Sequence, residues 1–552
     1  MRTVGELIVD TLVQNGIDRV FCVPGESYLG LLDALYGRRD IKTIVCRHES
    51  GAGFMAIADA RLTRRLSVAV VSRGPGACNA AIAVHTSQQD EVPFILIVGQ
   101  VAVNDVRRDA FQEIDYGRMF GSIAKWTAEV TDPDRAAETL LRAIQTATSG
   151  IRGPVVLAFP EDILTAPVAA EPVRPQSPVR GAPRAEEVDV LRRHLAKSVR
   201  PLLIAGPELE HHEGRAALLA FMEAWELPAV VTFRRQDLLP NAHRLYAGDM
   251  GLSNPSSQMD LLRQADLVIV LGAQLGDITT QGYTFPTLVR PQMMLAHVHS
   301  DPAAIGTHYA TDLAIAADPC ELMGLMGVPP HAVPPRRANW IADLKAAQRA
   351  IAKPRNFAHD DGVPFETVIE ALSRCLPPDA IVTADAGSFA APLYRIVPIA
   401  PPQRLLAPIS GAMGFGVPAA VAAALREPKR PVICLVGDGG FLMTGNELAV
   451  ALQHDANLKV ILSENGIYGS IRIHQERNYP GRTVGTSFKN PDLELIGRAF
   501  GMPVARIRDV SDLDQLPGIL ASPGNAFILV QTSIAAILPR PQRLHIEAQR
   551  SA

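Results

Sequence analysis

VICLVGDGGFLMTGNELAVALQHDANLKVILSENGIYGSI, from Val432 to Ile471, holds two apolar runs that each stop at an oxygen-bearing side chain beside glycine. The first run breaks at Gly437-Asp438-Gly439-Gly440 and the second at Glu464-Asn465-Gly466, with an amphipathic stretch between them. Short apolar runs bounded by such punctuation read as buried strands of a parallel sheet, and the stretch between them as the crossover helix. Asp438 and Asn465 are 27 positions apart. A strand–helix–strand unit needs about that many residues, and it brings both strand ends to one edge of the sheet. Ligands of open parallel sheets bind beyond those ends.

The pair at that edge suits Mg²⁺, a hard ion that takes oxygen ligands and is commonly shared between one or two protein groups and a phosphate. Gly437, Gly439 and Gly440 let the backbone come close to an anion, and a helix starting at Phe441 would point its N–H groups at it. Two ordinary turns would use the same residue types.

Working outward, the same alternation fills the chain. Strand runs IKTIVCR, LSVAVVS, PFILIVGQ and PVVLAFP mark a first segment, 1–165. RPLLIAG, PAVVTF and ADLVIVLG mark a central one, 184–328, and AIVTADAG, PVICLVGDGG, LKVILSENG and FILVQT a third, 360–535. Pro-rich stretches APVAAEPVRPQSPVRGAP and GVPPHAVPPRR separate them. The predicted fold is α/β, three consecutive doubly wound parallel-sheet domains. At 552 residues the chain is too long for a single core.

Composition narrows the function. With 47% hydrophobic residues, 20% charged and a net charge of -4, the chain offers no electrostatic footprint for nucleic acid or a membrane surface. Aromatics at 5% are too sparse for a base-stacking platform. The uncharged stretch Leu405 to Leu425 has the length of a membrane span, but its Gly and Pro indicate a loop leading into a buried helix. The N-terminus reads as an amphipathic helix without a cleavage site, and the six scattered cysteines as reduced thiols. A cytoplasmic enzyme is expected. His48-Glu49 is not a zinc protease motif, because Ala52 stands where the second histidine is required, and no G-x-S-x-G elbow is present.

Gly-Asp-Gly, a helix and an Asn-bearing turn together resemble the thiamine diphosphate signature of the pyruvate decarboxylase and acetolactate synthase superfamily. FCVPGESYLGLLDAL, RHESGAGFMAIADARL, SRGPGACNAAIAV, DEVPFILIVGQ and DAFQEID resemble its pyrimidine-binding domain, and GAMGFGVPAA with VGDGGFLMTGNELA its diphosphate-binding domain. The central segment resembles the family's non-catalytic domain. The pattern is most similar to acetolactate synthase large subunits.

The resemblance implies roles. Asp438, Asn465 and the carbonyl of Ile467 would hold Mg²⁺ against the diphosphate, with Gly25, Gly387, Ser388, Gly437, Gly439, Gly440 and Tyr468 also contacting the cofactor. Glu49 would hydrogen-bond the aminopyrimidine, Met413 would bend the cofactor, and Gly411 would offer its carbonyl to the amino group. Gln112 and Lys125 follow the synthase pattern, and the decarboxylases' paired histidines are missing. Glu26, Ser470 and His474 fall at substrate positions and depart from the synthases, which carry Met and Trp where this chain has Ser470 and His474. Glu464 replaces the usual Asn and adds a carboxylate of unassigned purpose. FAD, which would fall to the central domain, is left open, since VLGAQLGDITTQG differs from the synthase version.

The implied activity is carboligation or decarboxylation of a 2-oxo acid, in a homodimer or homotetramer whose sites are shared between subunits. Other thiamine diphosphate chemistry, as a C–C or acyl-CoA lyase, is the alternative. A non-catalytic regulatory binder is the third reading, and it would have no use for Glu49.

Overall fold

The computed structural model describes residues 1–176, 179–329, 331–354 and 359–537, so part of each predicted Pro-rich linker (177–178 and 330) lies outside them. Three six-stranded sheets, parallel throughout, follow one another along the chain. In the first domain the strands lie in the order Lys42–Val45, Arg19–Cys22, Ser67–Ser72, Phe94–Gln100, Pro154–Pro160, Trp126–Glu129. The third domain repeats that order with Arg404–Leu406, Ile381–Ala384, Val432–Gly437, Lys459–Glu464, Ala526–Gln531 and Val504–Ile507. Numbered along the chain, each reads 2-1-3-4-6-5. The central sheet runs Tyr246–Met250, Ala229–Thr232, Pro201–Ala205, Leu267–Leu271, Met294–His299, Leu313–Ala316, which reads 3-2-1-4-5-6, the dinucleotide-binding order. A short antiparallel pair, Arg2–Thr3 with Pro167–Val168, clips the start of the chain to the end of the first sheet.

The strands read from sequence are present, and the sheets contain others besides. Arg19–Cys22, Trp126–Glu129, Tyr246–Met250 and Val504–Ile507 are short, and all but Arg19–Cys22 are edge strands, so the long apolar run is missing as a signal. The helix expected from Phe441 begins three residues earlier and spans Asp438–Thr444, with Gly437 as its N-cap. The uncharged stretch resolves into a strand, a loop and the helix Gly416–Arg426. Among the described residues no helix is long and apolar enough to cross a membrane.

That helix explains how two domains share one core. GVPAAVAAALR packs on the equally small-residue helix Glu49–Thr63 of the first domain, and Phe54 meets Phe415 edge-on at 5.6 Å. Alanines on both faces bring the backbones close, and burial of the continuous apolar layer supplies the association energy. At the helix end Arg426 reaches back to Asp18 and Asp59, each at 2.7 Å.

A second junction, polar and dry, ties in the central domain. Arg61 of the first domain bonds Glu210 at 3.1 Å and the Ala407 carbonyl at 2.8 Å, while Arg235 pairs with Glu210 and Arg404 with both Glu210 and Asp237. Burial alone would raise the Glu210 pKa, but the guanidiniums of Arg235, Arg61 and Arg404 outweigh it and hold the group below the usual range. Asp90 accepts the Ile409 N–H at 2.7 Å, so the loop leading to Gly411 and Met413 is fixed from outside its own domain.

Candidate functional site

In the third domain the strand order reverses between Ile381–Ala384 and Val432–Gly437, and each strand ends on an aspartate, Asp385 and Asp438. Such a reversal opens a crevice between the turns that follow. Asp438 is 2% exposed and is held by N–H groups. Its Oδ2 accepts the backbone N–H of Asn465 at 2.8 Å and of Gly466 at 2.7 Å, and Asn490 Nδ2 at 2.8 Å. Its Oδ1 accepts the adjacent Gly439 N–H alone, at 2.8 Å, and so keeps capacity for a further partner. Asn465 turns its Oδ1 onto the Ile467 N–H at 3.1 Å, and Asn490 Oδ1 is buried with no hydrogen-bond partner. This oxygen set, without thiol or imidazole, fits Mg²⁺. Asn490 was missed from sequence.

The glycines let neighbouring groups approach closely. A side chain at Gly439 would meet Tyr468 at 2.6 Å and come within 3.5 Å of Met413 Cε, so these residues converge on one point. One at Gly440 would strike the Asp385 carboxylate at 2.6 Å. Asp385 is wholly buried and accepts N–H groups from Ala386 at 2.6 Å and Gly414 at 2.9 Å. Burial pushes its pKa up to about 6 against those hydrogen bonds. It braces the Gly387–Ser388 turn and the Met413 loop from behind. Gly411 is exposed at φ +70°, a conformation glycine adopts freely.

Ser470 accepts the Ser388 N–H at 2.9 Å, which places it on the same turn as the predicted cofactor contacts. His474 is exposed on the helix Gly469–Asn478. Glu464 lies 3.8 Å from Arg506, whose guanidinium also bonds Glu494 at 3.0 Å. Burial raises its pKa, Arg506 opposing and Asp438 adding to the rise.

The first-domain candidates gather at the corresponding reversal between Arg19–Cys22 and Ser67–Ser72. Gly25 lies so close to Ser72 that a side chain would overlap it at 2.3 Å. Glu26 is paired at 3.3 Å with Arg73, which also holds Glu161 at 2.9 Å. Glu49 opens the helix Glu49–Thr63, half-buried, and accepts Asn79 Nδ2 at 2.9 Å. Gln112 sits at φ +65° with its side chain exposed and its carbonyl accepting the Gly74 N–H at 2.8 Å. Lys125 is not part of this group: it donates to the Ser149 carbonyl at 2.7 Å, near the central domain.

Despite its dinucleotide order, the central sheet has no open crevice at its reversal. A side chain at Gly206 would meet the Gly272 carbonyl at 2.3 Å, and one at Gly272 would meet Glu208 Cβ at 2.6 Å. The two turns lie against each other, with the Glu208 carboxylate on the Ser300 N–H at 3.2 Å. A closed crevice lined by a carboxylate does not fit the diphosphate of FAD.

Family models match the chain in the order of its domains: the N-terminal TPP binding domain of thiamine pyrophosphate enzymes over residues 2–119, the central domain over 188–324 and the C-terminal TPP binding domain over 385–529. The large subunit of acetolactate synthase isozyme 1 from Escherichia coli K12 is 32% identical, covering 96% of this chain and 94% of that protein. The acetolactate synthase large subunit of Lactococcus lactis is 30% identical over 90% of this chain and 87% of its own length. A probable 2-ketoarginine decarboxylase, AruI, of Pseudomonas aeruginosa is 32% identical over 93% of this chain and 91% of that protein. With the three domains matched in sequence and built as matching sheets, this chain belongs to the thiamine pyrophosphate enzymes, in the acetolactate synthase family.

Proposed function

We propose that the chain is a Mg²⁺-dependent thiamine diphosphate carboligase, which decarboxylates pyruvate or a related 2-oxo acid and joins its acyl carbons to a second carbonyl. The observation that carries this is Asp438, a buried carboxylate held by backbone amides beside glycines that Tyr468 and Asp385 approach closely, in a chain colinear with acetolactate synthases. The domain limits are 1–165, 184–328 and 360–535.

Thiamine diphosphate, when bound, would supply a nucleophilic C2 for addition to carbonyls and a cationic thiazolium ring that takes up the electron pair freed by loss of CO₂. Asp438, Asn465 and the Ile467 carbonyl would hold the metal, and Gly387, Ser388, Gly437, Gly439 and Gly440 the diphosphate. Met413 and Tyr468 would shape the space above, excluding water. Glu49 would share a proton with the aminopyrimidine ring at the mouth of its helix. A homodimer is part of this reading: Leu442 and Met443 on the Asp438 helix, Ile471 beyond Asn465 and Phe111 beside Gln112 are exposed apolar groups on the elements carrying the two half-sites. Glu49 would then serve the partner's cofactor.

Simple decarboxylation is the second reading, favoured by the exposed acid Glu26 at the first-domain turn and by similarity to a probable 2-ketoarginine decarboxylase. The test is NMR identification of products from pyruvate and from 2-oxo-5-guanidinopentanoate, with Mg²⁺ and thiamine diphosphate. Acetolactate supports the first reading, and an aldehyde from the guanidino acid the second. Glu49→Gln should keep cofactor binding and lose about 10²-fold or more in kcat; unchanged turnover would overturn both.

A further inference from the structure

Glu447 closes the turn after the Asp438 helix and is completely buried, although glutamate is rarely so. It does not reach the metal site. It crosses to the first domain instead, where Oε1 accepts the backbone N–H of His48 at 2.9 Å and both carboxylate oxygens accept that of Arg47 at 3.1 Å. Those are the two residues immediately before Glu49. Gly51, one turn into the same helix, lies so close that a methyl group there would stand 2.2 Å from Oε1. Arg47 is latched a second time, its guanidinium donating to Gln453 of the third domain at 2.7 Å.

The element leading to Glu447 touches every part of the candidate site in turn. Asp438 is its first residue, Gly439 and Gly440 let Tyr468 and Asp385 pack closely against it, and Thr444 Oγ1 donates to the Gly414 carbonyl at 2.6 Å. A carboxylate at the mouth of a helix is favoured by the helix dipole and by free N–H groups. Here it is supplied by another domain.

We infer that Glu447 is a positioning residue: its carboxylate clamps the Arg47–His48 backbone so that Glu49 is presented in one fixed geometry, joined rigidly to the Asp438 end of the same chain. The inference rests on the role proposed for Glu49. If Glu49 serves the partner's cofactor, the clamp is a direct mechanical link from the diphosphate held by one subunit to the proton-handling group of the other site.

The experiment uses the full-length protein and two variants that disturb the contact from opposite sides. Glu447→Gln replaces one acceptor oxygen by a donor. Gly51→Ala pushes the carboxylate away and leaves every titratable group in place, so it also serves if the Gln variant folds poorly. Both should speed hydrogen exchange at the Arg47 and His48 amides by roughly tenfold, the worth of one hydrogen bond. Both should lower kcat by about 10²-fold through misplacement of Glu49, with KM and the dissociation constant for thiamine diphosphate and Mg²⁺ within about twofold. Addition of thiamine diphosphate and Mg²⁺ should slow exchange at these amides in the parent and not in Glu447→Gln. Unchanged kcat in both variants, or a kcat loss matched by an equal loss of cofactor affinity, overturns the inference. Glu49→Gln measured alongside separates the two ideas: if it loses turnover while the Glu447 and Gly51 variants keep it, the clamp alone is wrong.

Discussion

The third and central domains both bring two glycine-bearing turns together where a parallel sheet reverses its strand order, and the outcome differs. At Gly439 and Gly440 the missing side chains let Tyr468 and the Asp385 carboxylate close in beside Met413, with the Asp438 amide cluster at one end. At Gly206 and Gly272 the missing side chains let one turn collapse onto the other. The acids follow suit. Asp385 and Asp438 are held by N–H groups, while Glu210 and Asp237, just past the central strands, are surrounded by guanidiniums from all three domains. Strand order alone therefore does not make a cofactor site; what fills the reversal does. In the central domain that volume has gone to joining domains.

The sharpest way to break this contrast is to remove one acid from each side. Glu210→Gln leaves Arg61, Arg235 and Arg404 buried with too little counter-charge and should cost about 3–5 kcal/mol of stability, read from denaturant unfolding at pH 7. Its pH dependence has a definite sign. Glu210 is depressed in the folded state, so its stabilising effect is present above the ordinary glutamate range and is lost as pH falls, and the gap between parent and variant should narrow on acidification. Asp385 is the reverse case. With its folded pKa raised to about 6, the folded state keeps a proton that the unfolded chain has released, and the parent is penalised as pH rises. Asp385→Asn escapes that penalty and should gain on the parent by about 2 kcal/mol between pH 4 and 7. Gaps that move in the same direction for the two variants would end the distinction between amide-held and guanidinium-held acids.

A smaller effect separates the two reversals as binding sites. Thiamine diphosphate with Mg²⁺ at one hundred times its dissociation constant should stabilise the protein by about 2.7 kcal/mol, seen as a rise in Tm that Asp438→Ala abolishes. FAD under the same conditions should leave Tm unchanged, and a rise with FAD would mean that the central turns part.

The two broken strands were legible because a polar residue ending an apolar run is a local signal, and so was the three-domain order, since each sheet contributes long central strands. Edge strands such as Trp126–Glu129 and Val504–Ile507 escaped because half-buried short segments carry no run and little alternation. What escaped in the site was of another kind. Glu447 meets residues 400 positions away, and nothing in GNELAV distinguishes a domain-crossing clamp from a helix glutamate. Glu464 stood out as a departure, but its partner Arg506 lies on the strand Val504–Ile507, two strands away in the sheet, and sequence order does not align the two. Lys125 matched a pattern and proved to serve a carbonyl elsewhere. Local punctuation survives in one dimension, and pairings made by packing do not.

Asn490 is the last instance, and it yields the finest test. It follows a loop 52 positions beyond Asp438, in KNPDLE, where Asn before Pro reads as an ordinary turn. Its amide nitrogen donates to Asp438 Oδ2, while its own oxygen is buried without a partner among the described residues. The donor holds Oδ2 and leaves Oδ1 with the Gly439 N–H. Asn490→Ala should therefore weaken Mg²⁺-dependent cofactor binding by about tenfold, close to 1.4 kcal/mol, for loss of a hydrogen bond to a charged group. Asn490→Asp should do worse, since it sets a second carboxylate against Asp438 and replaces attraction with repulsion. Calorimetric titration of thiamine diphosphate at fixed Mg²⁺ decides the point. If Asn490→Asp instead binds Mg²⁺ more tightly than the parent, the orphaned oxygen lies within reach of the metal, and Asn490 belongs among its ligands instead of behind them.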